Sequence, residues 1–143
     1  MNSFVFNVLF GKRFRLIKTR KGERRIFPFL KDKNVFACGL LVTHINGRER
    51  KTLYVKETNR TCYTSDFGGK VDMEDTCLFD TLSREVWAES SRKFFGDEMD
   101  LKAFRELFKT FLDNSGVYLD YIPGSKYLLV KVTCDHRRLP EEC

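Results

Sequence analysis

Proline is scarce, three in 143 residues, and there is no low-complexity tract or internal repeat, so no stretch reads as a linker and the length fits one domain rather than two. Long apolar runs are missing as well. No segment approaches the roughly 18 to 20 residues that a membrane span requires, and Met1 to Arg15 scatters charge where a signal peptide needs an unbroken apolar centre. The five cysteines (Cys38, Cys62, Cys77, Cys134, Cys143) are odd in number and make neither a CxxC pair nor a zinc-finger spacing with the two histidines. Reduced thiols, a cytoplasmic setting and no membrane partner are the expectation. The low hydrophobicity of disordered chains is lacking too, since 42% of residues are hydrophobic and 14 are Phe, enough to build a core.

What is present begins with charge. A net charge of +6 favours polyanionic partners such as nucleotides or RNA. Much of the excess lies in Lys18 to Arg25, where Gly22 among charges predicts a hairpin tip, read either as a solvated turn or as a phosphate-contacting patch. Residues 3 to 29 alternate short apolar runs with basic residues, which predicts a strand-rich N-terminal arm ending at Pro28. The arm is set at residues 1–33 and the core at 34–143 of one domain. Val35 to Ile45, the Asn46-Gly47 turn and Thr52 to Val55 predict a hairpin. A helix is expected from a cap at Asp75 or Thr76 to about Ser91, and a second from Asp100 to Leu112 with Leu101, Phe104, Leu107, Phe108, Phe111 and Leu112 facing the core. Val117 to Tyr121 and Tyr127 to Thr133 predict the last strands around a Pro123-Gly124 turn. This order points to α/β or α+β layers rather than a barrel or a bundle.

Along the first helix, Leu78, Phe79, Leu82 and Val86 make the apolar stripe, and Glu85 and Glu89 fall on its border one turn apart. Like charges at that spacing repel, so something positive is needed between or beside them. Salt-bridged structural glutamates and a divalent-metal site both satisfy that need. Just upstream, Gly68-Gly69 marks a backbone that another group approaches closely.

Gly69-x5-Asp75-x8-Arg84-Glu85-Val86-Trp87-Ala88-Glu89-Ser90-Ser91 resembles the signature of the Nudix hydrolases, G-x5-E-x7-R-E-U-x-E-E-x-G-U with U apolar. The specific likeness runs from Gly69 to Arg92, about a sixth of the chain. It implies an α/β/α sandwich with a mixed sheet, here with the extra N-terminal arm. It also implies a pyrophosphohydrolase that cleaves a nucleoside diphosphate linked to another moiety, a nucleotide or capped RNA, using Mg²⁺ or Mn²⁺. Carried over by position, Glu85 and Glu89 are the catalytic metal ligands, the Gly68 carbonyl is a further ligand, and Arg84 ties the helix to Asp75. Lys70 follows the glycines, where it either meets a substrate phosphate or is solvated.

The chain also departs from the signature. Asp75 replaces Glu and lies one residue further from Arg84, so Glu74 is a second candidate for that tie. Ala88 replaces a carboxylate, and Ser91 and Arg92 replace Gly and an apolar residue, which lets the helix run on. A base from elsewhere is then wanted, with Asp97, Glu98, Asp120 and Asp135 as candidates, while His44 and His136 read as structural. Trp87 lies off the stripe, for packing or for base stacking. The family's closing helix has only His136 to Cys143 available, with Leu139 to Glu142 as its first turn, so the expectation is either that the chain is cut short or that the arm or the Phe-rich helix covers that face. The alternative reading is a non-catalytic Nudix-like module that holds nucleotide or RNA, the RNA through the basic arm. A third is a structural interaction protein with salt-bridged glutamates.

Overall fold

Apolar residues at every second position of a long strand must be covered on at least one face, and the fold is arranged around one such strand. The computed structural model describes residues 1–46, 48–52, 55–56, 63–64 and 66–135. In chain order its elements are α1 (Ser3–Phe10), β1 (Arg15–Thr19), β2 (Gly22–Leu30), β3 (Lys33–Val35), β4 (Ala37–Asn46), β5 (Glu49–Thr52) and β6 (Val55–Lys56). There follow β7 (Tyr63–Thr64), β8 (Phe67–Lys70), α2 (Leu78–Glu89), α3 (Leu101–Asp113), β9 (Gly116–Ile122) and β10 (Tyr127–Asp135). The result is a mixed α/β fold with a mixed five-stranded sheet, a three-stranded antiparallel sheet β1-β2-β3 and a short β6-β7 pair.

β4 is the centre. β10 runs parallel to it, and β5 and β8 pair antiparallel with it at His44 and Gly39 respectively. The β4–β10 register sets Leu128, Val130 and Val132 beside Cys38, Leu40 and Val42, all buried, so one face of both strands is apolar. A parallel pair needs a long crossover, and here the connection contains both α2 and α3. α2 covers β4 and β8 with Leu78, Phe79, Leu82 and Val86. α3 packs on α2 with Phe104, Phe108, Phe111 and Leu112, and Phe94 meets three of these rings edge-on.

Several expectations are corrected. Residues 3–10 form a helix, not strands: Val5 and Leu9 are one turn apart and buried, the Asn2 side chain accepts from the Val5 N–H at 2.8 Å, and Phe10 stacks on Phe79 at 4.6 Å. Burial of one helical face outweighed the β preference of the Phe and Val residues. Pro28 does not end the arm, because β2 continues to Leu30. β1 pairs with β2 only as far as Ile26, so among the described residues Pro28 has no strand partner on that side, and it sits at a register shift against β3. The hairpin strand is Glu49–Thr52, earlier than expected, because Asn46 pairs with Glu49. α2 begins at Leu78 and stops at Glu89, and Leu107 is 49% exposed rather than in the core. The tip at Thr19 and Gly22 closes the β1–β2 hairpin, with Gly22 at φ 112°.

The strand-rich arm therefore starts with a helix, and its residues Val5, Leu9 and Phe27 join the same core as β4 and α2. The turn conformation of Gly47, together with Cys62, His136, Leu139 to Glu142 and Cys143, lies outside the described residues.

Candidate functional site

β8 is four residues long and carries both glycines. Its pairing places Gly68 opposite Gly39 and Gly69 opposite Cys38, and Phe67 anchors it by packing edge-on against Phe94 at 5.7 Å. After β8 the chain turns through Asp72 to Asp75 and enters α2, which lies across the strand. The approach is close. A β-carbon at Gly69 would sit 2.5 Å from Glu85 Oε2 and 2.7 Å from Oε1, so glycine is what lets the helix bring a carboxylate onto the strand. Glu89, one turn on, accepts the Gly68 N–H at 3.3 Å through Oε2. Glu85 and Glu89 thus converge on the two glycines, each half-buried.

Arg84 organises this corner. Its guanidinium donates to Glu85 Oε1 at 2.6 Å, to Asp75 Oδ2 at 2.8 Å and to the Lys70 carbonyl at 3.2 Å. Partial burial works against its charge, but the two carboxylates outweigh that and hold its pKa above the usual arginine value. Asp75 is only 4% exposed, and besides Arg84 it accepts from the Asp72 N–H and the Thr81 hydroxyl at 2.8 and 2.7 Å. Glu74 is exposed, and Asp75 is the residue that holds Arg84. Lys70 points its backbone, not its exposed side chain, into the network.

Four further groups, Tyr127, Asp66, Cys38 and Arg25, complete the surroundings; the sequence marked Cys38 only as a reduced thiol and Arg25 only as the end of a basic stretch, and assigned none of the four to this corner. The Tyr127 hydroxyl donates to Asp66 and lies where a β-carbon of either Gly39 or Gly68 would be. Burial, then the Asp66 bond and carboxylate, then Cys38 and Glu89, raise the Tyr127 pKa, so it stays a protonated donor. Cys38 is likewise raised, first by burial and then by Asp75 and Glu85, and is held as a thiol. Arg25 of β2 donates to the Asp75 carbonyl at 2.8 Å, pinning the arm to this turn. Gly39 was the available signal: a glycine inside an apolar strand marks a close approach.

The other candidates are elsewhere. Asp97 and Glu98 are exposed, and Asp120 pairs with Lys131 at 3.3 Å. Ala88 is exposed, Trp87 donates its indole N–H to the Met99 carbonyl at 2.8 Å beneath Arg92, and His44 is buried in β4. Among the described residues no group of three or more His, Cys, Asp or Glu side chains gathers closely enough to hold a metal ion alone. Two half-buried carboxylates with hard oxygen donors do suit Mg²⁺ or Mn²⁺, because Mg²⁺ keeps several waters and takes one or two carboxylates plus substrate phosphates rather than a full protein cage. No family model, characterised protein or solved structure matches the chain.

Proposed function

We propose that the chain is a Nudix-type pyrophosphohydrolase with the α/β/α sandwich of that family, cleaving a nucleoside diphosphate linked to another moiety, in a nucleotide or a capped RNA, with Mg²⁺ or Mn²⁺. One observation carries the reading: the Glu85 and Glu89 carboxylates meet the Gly68-Gly69 backbone, with no room for a side chain at position 69. Glu85 and Glu89 would hold the cation. A divalent ion bound there neutralises pyrophosphate charge and acidifies an attacking water. The chain's own part is positional. Asp75 fixes Arg84, Arg84 fixes Glu85, and the Gly68 N–H fixes Glu89, so both carboxylates are oriented in advance.

A second reading rests on the 2.6 Å Arg84–Glu85 ion pair and the alanine at position 88: a module that binds nucleotide without turnover. The two separate in a single assay of nucleoside monophosphate or phosphate release from a panel of nucleotides and capped RNA with Mg²⁺ or Mn²⁺. The hydrolase reading expects release by the wild type and a loss of about a hundredfold or more in Glu89→Gln, with the fold retained by circular dichroism. Equal inertness of both proteins across the panel, with nucleotide still bound, would replace it with the binding module.

A further inference from the structure

Charge is divided unevenly along the chain. Ten of the 26 Lys and Arg residues lie in residues 1–33, against two of the 20 Asp and Glu, so this stretch carries +8 while the whole chain carries +6. The same stretch leaves large apolar side chains in solvent, Phe4 at 48%, Phe6, Phe14, Leu16 and Leu30 among them. Phe6 stacks on Phe10 at 4.8 Å and Phe14 lies under the Arg25 guanidinium at 4.0 Å, whereas Phe4 borders a lined opening, and an apolar surface rimmed by polar groups marks a site of interaction.

α1, residues 11–15 and the β2–β3 hairpin line an open cavity of about 820 Å³. Phe4, Val8, Phe27 and Phe29 form its apolar wall. Phe4 and Phe29 lie 6.1 Å apart, tilted by 54°, Phe29 stacks on Tyr121 at 5.7 Å, and Phe4 is 48% exposed. Lys12, Arg13, Arg15 and Lys31 stand at the rim. None of the four is ion-paired among the described residues, and only Arg15 is tied, to the Asn34 side chain at 2.9 Å. Asn7 and Asp32 share the opening.

The combination selects an occupant. A peptide of Asp and Glu alone would satisfy the cations but leave the aromatic wall unused, and a duplex keeps its bases stacked inside. A single strand offers flat bases to the rings and phosphates to the rim. Asp32 repels phosphate yet accepts hydrogen bonds from sugar hydroxyls, which a ribose provides.

We propose that this cavity binds single-stranded RNA, one base lodged against Phe4 and Phe29 and the flanking phosphates on Lys12, Arg13, Arg15 and Lys31. The site stands apart from Glu85 and Glu89 and holds whether or not the chain is a hydrolase. Fluorescence anisotropy with a labelled ten-nucleotide RNA of mixed sequence, without divalent metal, tests it on the full chain. Binding should weaken with salt with a log–log slope of about −2 to −3, as three or four phosphate contacts on a single strand imply. Joint Lys12→Glu and Arg13→Glu should weaken binding at least tenfold, on the order of a full decade, and flatten the slope by about 1.4. Phe4→Ala should weaken it about tenfold with the slope unchanged. All three positions are exposed, so circular dichroism should show an unaltered fold. Wild-type binding by either variant, equal affinity for duplex RNA or for the deoxy strand, or no binding at low salt would overturn the proposal.

Discussion

Ser91 holds a left-handed backbone, φ 56°, just beyond α2, and Arg92 follows at φ 66°. The Arg92 N–H reaches back to the Trp87 carbonyl at 2.8 Å and the Ser91 N–H to the Ala88 carbonyl at 3.1 Å. That is the paired closure with which helices end in a left-handed residue, normally glycine. Position 91 is also where the Nudix signature has its Gly. A serine there keeps the turn while bearing the steric cost of its β-carbon. Ser91→Gly should therefore stabilise the protein by about 1 kcal/mol, read as a higher midpoint in urea at unchanged slope. Residue type alone predicted a longer helix, because neither Ser nor Arg announces a left-handed stop. The closure depends on carbonyls that exist only once the helix has formed.

At the scale of elements, the start of α2 shows the same dependence on geometry. The sequence offered Asp75 or Thr76 as the cap, yet Cys77 occupies that position with no side-chain bond. Asp75 is drawn away to Arg84 and Thr81, and the first turn is tied by Asp80 instead, which accepts both the Thr76 N–H at 2.8 Å and its hydroxyl at 2.7 Å. Arg105 of α3 pairs with the other Asp80 oxygen at 2.7 Å, so one carboxylate joins two helices. Burial alone would raise the Asp80 pKa, but the Thr76 bonds and Arg105 outweigh it and lower it below the usual aspartate value. A depressed folded-state pKa contributes stability above the unfolded value near pH 4 that is lost as pH falls through the folded one. Asp80→Asn should accordingly destabilise the protein at neutral pH, with the difference from wild type narrowing as urea melts are repeated toward pH 3. By contrast, α3 was legible almost to the residue: Asp100 accepts the Ala103 N–H at 2.8 Å as its cap, and Phe104, Phe108 and Phe111 keep helical spacing.

For the molecule as a whole, α2 faces both ways, packing its apolar stripe on β4 while its border carboxylates reach β8. Among the described residues no helix is long and apolar enough to cross a membrane. If Glu85 and Glu89 hold a cation in the folded state only, Mn²⁺ must raise the melting temperature in a saturable way. The wild type should gain several degrees in Mn²⁺ and Glu89→Gln little, measured by differential scanning fluorimetry; equal shifts in both would remove the metal from this corner.

Local pattern was enough to determine most of the central strand, the Phe-lined helix, the last two strands and the placing of Glu85 and Glu89 on one helical border, because each depends on periodicity within a few residues. It ran Val35 into the central strand, whereas Val35 pairs with Phe27 as the end of β3 and β4 starts at Ala37. Tertiary packing decided the rest. Whether Phe4 to Phe10 coils or extends, where Pro28 falls in a sheet, which acid receives Arg84 and which tyrosine stands over Gly39 and Gly68 all depend on partners distant in sequence. Their free energies come from burial and hydrogen bonds that no local window contains.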